Sequence, residues 1–188
     1  MRVMLRHKTV DSGERVTTMH PQVRAALEHG GVRFVERRHA EYAQPIHTPG
    51  DFAAALGYAP QRIAKTLLLR GGAPPRFALA VCPAPGRLDL AAVAHEMGWR
   101  RAQFASTEEL AALTGYPPTG VSPLGVAGVG VLLAQALAAY ETVLVGGGAV
   151  GIEVELAPAD LLRLTGGTVL PLVTGAAPAP PSGGDTSV

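Results

Sequence analysis

The chain has 188 residues, a formal net charge of +1 and a single cysteine, Cys82. That length suits one domain able to bury a full core without disulfides or a structural metal, and one cysteine excludes an internal disulfide. A near-neutral balance also excludes the large basic footprint that drives non-specific nucleic-acid binding, so DNA is not an expected partner and any RNA has to be held by a small patch.

In chain order, residues 1–18 are polar and basic without periodicity, and Met19 offers a second start. They read as a flexible arm or a misassigned start, with no apolar segment of signal length, and the expected location is the cytoplasm. The segment "HPQVRAALEHGG" predicts a short helix closed by a glycine pair, "VRFVERRH" a strand, and "TPGDFAAALG" a helix running from near Thr48 to Gly57. "RIAKTLLLR" has the length and flanks of a buried strand, and "RFALAVCP" pairs with it as a hairpin across "GGAPP". "LDLAAVAHEMG" predicts a helix with Asp89 near its start, and "STEELAALTG" a helix with a Ser106/Glu109 capping box and a Gly115 stop. Residues 121–139 are apolar, but Ser122, Pro123, Gln135 and three glycines make a poor membrane helix, so no membrane association is expected. "ETVLVGGGAVGIEVELAPADLLRLTGGTVLPLV" predicts a strand, a glycine turn, an alternating strand, a helix opened by Pro158 and a last strand. The Pro-, Gly- and Ser-rich residues 175–188 read as a disordered tail. Strands interleaved with short helices give an α/β class: a single domain over 19–174 with a mixed, curved sheet.

Three stretches carry candidate chemistry. The first is Lys65, inside the apolar strand. The chain uses 14 arginines and only 2 lysines, so wherever any positive charge would serve it writes Arg. A lysine on such a strand snorkels outward, pairs with a buried carboxylate, or serves a site. In a site it either acts as a base or Schiff-base former, or stays charged and holds a phosphate or carboxylate. The second is "TGYPPTGVSPLG", residues 114–125, rigid at its prolines and free to adopt positive φ at Gly115, Gly120 and Gly125. Such a loop can aim amides at an anion or a carbonyl oxygen, and otherwise is a plain connector. The third, "GGGAVG" at 146–151, matches the dinucleotide-binding spacing but is followed by a strand instead of a helix, and so reads as a glycine hairpin that a ligand can approach closely. The six histidines are scattered and no cysteine pair exists, so no metal or other cofactor is expected. Cys82 reads as a small core residue.

In this order, "RIAKTLLLR", "LTGYPPTGVSPLG" and "GGGAVGIEVELAPADLLRLTG" resemble the YbaK and prolyl-tRNA synthetase-associated editing domain family, over about residues 30–173. The resemblance implies a mixed α/β domain around a barrel-like sheet. It also implies hydrolysis of the ester that joins a wrong amino acid to a tRNA. By that resemblance Lys65 is the lysine needed for deacylation, with Thr66 beside it. Thr119, Gly120, Val121, Ser122 and Pro123 form the loop lining the aminoacyl pocket, Gly146 and Gly147 a further wall, and Glu153 a polar pocket position. The implied partners are the acceptor end of mischarged tRNA and a prolyl-tRNA synthetase, and the favoured substrates are Cys-tRNA(Pro) and Ala-tRNA(Pro). The chain departs from the family pattern at Thr119, where the loop commonly has Gly, at Ala134, commonly Asp, and in a glycine turn without basic residues. The residues themselves offer no Ser/His/Asp set and no evident general base. Two other readings stay open: a module that binds tRNA or a synthetase without turnover, and a Schiff-base enzyme working through Lys65.

Overall fold

The structure, a computed structural model, describes residues 17–174. The expected tail and all but the last two residues of the expected arm lie outside them. His20 caps α1 (Pro21–Gly30) by accepting from the Gln22 amide, and Gly31 closes the helix at φ 60°. After β1 (Phe34–Arg38), a capping box between Thr48 and Asp51 opens α2 (Pro49–Leu56). β2 (Ala64–Gly71) and β3 (Arg76–Pro83) form the expected antiparallel hairpin, with Lys65 opposite Cys82. Then follow β4 (Arg87–Leu88), α3 (Leu90–Glu96) capped by Asp89, β5 (Ala102–Phe104), and α4 (Thr107–Thr114) with its Ser106/Glu109 box. The second half contributes β6 (Gly130–Ala134), α5 (Gln135–Ala138), β7 (Val143–Gly146), β8 (Ile152–Leu156), α6 (Pro158–Thr165), β9 (Thr168–Leu170) and β10 (Val173–Thr174).

A five-stranded mixed sheet runs β5-β2-β3-β6-β9, with β6 parallel to both β3 and β9, and a three-stranded antiparallel sheet runs β1-β8-β7. β4 and β10 pair separately. The sheets do not close into a barrel. The two larger ones meet at a single parallel bridge, Ile63 to Leu144, and closure needs continuous pairing around the ring. Alternation along β3 divides the core: Leu79 and Val81 belong to the cluster shared with α1, β7, β8 and α6, while Ala78, Ala80 and Cys82 join Val93, Trp99 and Leu172 beneath α3. Cys82 is fully buried, and burial pushes its thiol up, against a smaller lowering by Lys65, so it has none of the thiolate character a nucleophile needs. Among the described residues no helix is long and apolar enough to cross a membrane.

A glutamate holds the approach to β2 in place. Glu155, buried on β8, accepts from Arg37 at 2.6 and 3.0 Å, Thr142 at 2.8 Å, Tyr58 at 3.1 Å and Arg62 at 3.2 Å. Burial alone would raise its carboxyl, but the hydrogen bonds from Arg37, Thr142 and Tyr58 outweigh it and hold the group below the usual carboxylate range. Arg62 also stacks on the Tyr58 ring at 3.7 Å and donates to Thr142, which fixes the turn leading into Lys65.

Candidate active site

A cavity of about 650 Å³ opens where β2, the 114–125 loop, the glycine turn and the start of α2 converge. Lys65, Thr66, Thr119, Gly120, Val121, Gly146 and Glu153 all line it. Lys65 Nζ donates to the carbonyls of Gly86 at 2.6 Å and Ala84 at 3.0 Å. These two bonds use two of the three protons of an ammonium and fix its position while leaving a donor for a ligand. Neither partner is anionic, so the charge is held in place without being neutralised there.

The loop and the turn are packed backbone to backbone. A Cβ added at Gly120 would stand 2.6–3.0 Å from the Ala149 main chain, and one at Gly146 would collide with the Val121 carbonyl and stand 3.0 Å from the Val121 carbonyl carbon. Close approach is therefore what demands glycine at both positions. The expectation that Gly120 serves by adopting positive φ is corrected here: Gly115 and Gly125 have φ of 72° and 73°, but Gly120 is not among the positive-φ glycines. Its amide is also committed, donating to the Pro117 carbonyl at 2.9 Å. The amides of Thr119 and Val121 have no acceptor among the described residues, which leaves these two as the loop's candidate donors beside the cavity.

Three buried side-chain polar atoms on residues lining this cavity have no hydrogen-bond partner among the described residues: Thr66 Oγ1, His39 Nε2 and Glu153 Oε2. Buried polar groups in native folds are nearly always paired, so three orphans on residues of one cavity wall are unusual, and each has a partner to gain if a ligand draws its side chain inward. His39 packs against Phe52 with centroids 4.5 Å apart and the rings tilted by 50°, and its Nε2 stands 3.8 Å from Glu153 Oε1. Burial lowers the His39 pKa and pushes Glu153 up to about 8. A carboxyl whose folded-state pKa is raised favours folding while protonated. Its contribution is lost as pH rises from the ordinary value of 4.5 through about 8. The melting temperature of Glu153→Gln minus that of the wild type is therefore expected to grow from pH 4.5 to pH 9, as measured by calorimetry across that range. A flat difference would show that the carboxyl is not held neutral.

Three expected site residues are not on the cavity wall. Ser122 is fully buried and its Oγ accepts from the Leu124 amide, Pro123 is buried beside it, and Gly147 packs against Ile152. Ala134 is buried under α3 and also does not line the cavity, so that departure does not alter its wall. The wall formed by His39, His47, Thr48, Pro49 and Phe52 escaped the sequence reading. The two histidines are isolated along the chain, and only the β1–β8 pairing carries His39 to Glu153. A smaller cavity of about 260 Å³ adjoins across Thr66, Pro118 and Val121, with the half-exposed Phe104 ring at its edge. Among the described residues no three His, Cys, Asp or Glu side chains are grouped to hold a metal ion.

The aminoacyl-tRNA editing domain matches residues 43–164. The chain belongs to that family. A protein of Enterococcus faecalis named as a candidate Cys-tRNA(Pro)/Cys-tRNA(Cys) deacylase, EbsC, is 33% identical over 123 residues, covering 65% of this chain and 74% of that protein. The crystal structure of a candidate trans-editing enzyme for prolyl tRNA synthetase superposes with a TM-score of 0.70 at 28% identity, over 84% of this chain and all of the other. A protein described only as hypothetical superposes at 0.72, with 25% identity over 81% and 99% of the two chains. Family membership makes the chain an aminoacyl-tRNA deacylase of the trans-editing kind, and the matched segment contains every cavity residue discussed except His39.

Proposed function

We propose that the chain removes a small, uncharged amino acid from mischarged tRNA, with tRNA for proline carrying Cys or Ala as the favoured substrate. The observation that carries this reading is the convergence of Lys65, the Thr119 and Val121 amides and three wall residues with unpartnered polar atoms around one cavity of about 650 Å³, within the range of roughly 300–1,000 Å³ usual for small-ligand sites. An aminoacyl ester is already activated, so position and charge stabilisation matter more than a strong nucleophile. The Lys65 ammonium holds the phosphate or ribose of the terminal adenosine, and the Val121 amide donates to the ester carbonyl as it becomes an oxyanion. Water adds to that carbon, the ester C–O bond breaks, and the ribose hydroxyl and the free amino acid leave. The two carbonyl bonds of Lys65 suit a fixed ammonium better than a free amine, which disfavours the Schiff-base reading.

Small substrates are favoured because synthetases discriminate among small apolar side chains by only about 10- to 200-fold, and a second sieve acts by size. The backbone contact between Gly120, Gly146 and their neighbours narrows the cavity on the loop side. Arg24, Arg38, Arg70 and Arg163 are paired with carboxylates, whereas the exposed Arg33, Arg76, Arg87, Arg100 and Arg101 have no carboxylate partner among the described residues, and with a net charge of only +1 contact with RNA should reach little beyond the acceptor end. A panel of mischarged tRNAs tests the reading by ester loss over time. Alanyl and cysteinyl esters are expected to go first, and efficient cleavage of phenylalanyl or lysyl esters with the small ones untouched would overturn it. A prolyl-tRNA synthetase is the proposed partner, checked by co-sedimentation with and without tRNA.

A further inference from the structure

Glu153 and Glu155 lie two residues apart on β8, yet their surroundings differ. Glu155 accepts from two arginines, a tyrosine and a threonine, whereas Glu153 Oε2 has no partner and its Oε1 has only His39 Nε2 at 3.8 Å. Among the described residues no other one lining the cavity carries a carboxyl, and Lys65 is the lone lysine or arginine there. An aminoacyl ester at the end of a tRNA carries the matching pair of charges, a phosphate on the nucleotide side and an α-ammonium on the amino-acid side. We propose that Glu153 receives the α-amino group of the bound aminoacyl ester, so that the enzyme reads a free amine and discriminates against N-blocked esters. This rests on the deacylase reading above and adds a specificity residue to it.

The charged and titratable groups around Glu153 leave that role to the substrate. His39 is kept neutral by burial near pH 7, and His47 and Lys65 belong to the same wall. Lys65 is turned to two carbonyls. Arg37 is the register partner of Glu153 on β1, but its guanidinium is engaged with Glu155, and Gly146, the partner on β7, has no side chain. Burial holds Glu153 protonated near neutrality, so an arriving ammonium displaces one proton. Affinity for the free amine should therefore rise from pH 6 towards pH 8. It should fall again above the ordinary α-amino pKa of about 7.7–8.0, where the ligand loses its own charge.

The test uses the full chain and an acceptor-stem RNA ending in a non-hydrolysable alanyl amide, with its amine free or acetylated. Binding is measured by calorimetry from pH 6 to pH 9, beside deacylation of the ordinary alanyl ester. Acetylation is expected to weaken wild-type binding about 10- to 100-fold, the range of one charge-assisted hydrogen bond. Glu153→Gln, nearly isosteric, should bind both forms equally at the weaker level and lose the rise with pH. Equal wild-type binding of the two forms overturns the assignment, and so does a preference that survives in Glu153→Gln. A protein that cleaves the ester while ignoring acetylation keeps the deacylase function and loses this inference. One that prefers the free amine but cleaves nothing keeps the inference and loses the deacylase function.

Discussion

Lys65→Ala is expected to lower kcat/KM for a small aminoacyl-tRNA at least about 100-fold, equivalent to about 2.7 kcal/mol of transition-state stabilisation, while the protein stays folded. The lysine spans from β2 to the turn after β3, where its ammonium donates to the carbonyls of Ala84 and Gly86. Losing those two bonds frees a surface turn. Its carbonyls return to water, so the melting temperature should fall by only a few degrees, about 1 kcal/mol of stability. The effect on turnover is of another order because, on the proposed reading, the amine's remaining donor serves the ligand, and among the described residues no other lysine or arginine lines the cavity. Lys65→Arg should fail nearly as badly. Two carbonyls spaced for a compact ammonium do not match a planar fork, and the longer head enters the space meant for substrate. Circular dichroism and single-turnover deacylation on the same preparations check both halves of the expectation. A variant that keeps more than about a tenth of the wild-type rate would remove Lys65 from the chemistry, since the lost stabilisation would then be under about 1.4 kcal/mol.

Lys65 was conspicuous in the sequence because the rest of the chain avoids lysine and because local signals around it are strong. Two apolar runs joined by a glycine pair and a proline-rich turn define the β2–β3 hairpin within a few residues, and the capping boxes at Thr48 and Ser106 fix two helix starts without reference to anything distant. β6 was harder to place. Val131, Leu132, Leu133 and Ala134 are all buried because β6 has a parallel neighbour on each edge and core on both faces, so it shows an unbroken apolar run in place of alternation. The open arrangement of the sheets was equally invisible, since whether edge strands meet is decided by twist and by strand lengths as short as three residues at β5 and β9. In the site, the walls formed by Lys65, the 114–125 loop, the glycine turn and Glu153 were legible as motifs contiguous in the chain. The wall formed by His39 and the start of α2 was not. His39 reaches Glu153 only because β1 and β8 pair in antiparallel register over a long separation in sequence, with Arg38 opposite Ile152. The two glutamates of "IEVEL" look alike in sequence, and only the arginines brought to Glu155 by β1 and by the turn before β2 set them apart.

Gly146→Ala is the second substitution expected to have a large effect, because the contact it disturbs forms a cavity wall. The new methyl would collide with the Val121 carbonyl and stand 3.3 Å from the Gly120 carbonyl carbon, and main chain cannot yield as a flexible side chain does. The loop has to retreat, carrying the Val121 amide away from the ester carbonyl. Removing one oxyanion donor typically costs about 100- to 1,000-fold in kcat, and overpacking of this kind costs about 1–3 kcal/mol of stability. Gly120→Ala attacks the same contact from the other side, through Ala149 at 2.6–3.0 Å, and should produce the same two losses. Because both variants open one interface, the double variant should cost little more than the worse single one, a non-additivity that thermal melts can read. Gly128→Ala supplies the control. Its φ of 74° strains any side chain, but nothing lies within 4 Å of the added carbon and it is not on the cavity wall, so it should lose about 1–2 kcal/mol of stability and retain turnover. If Gly146→Ala instead behaves like that control, melting lower while cleaving alanyl-tRNA at the wild-type rate, the loop and turn are packed together for stability alone. The oxyanion donor would then have to be sought outside the 114–125 loop.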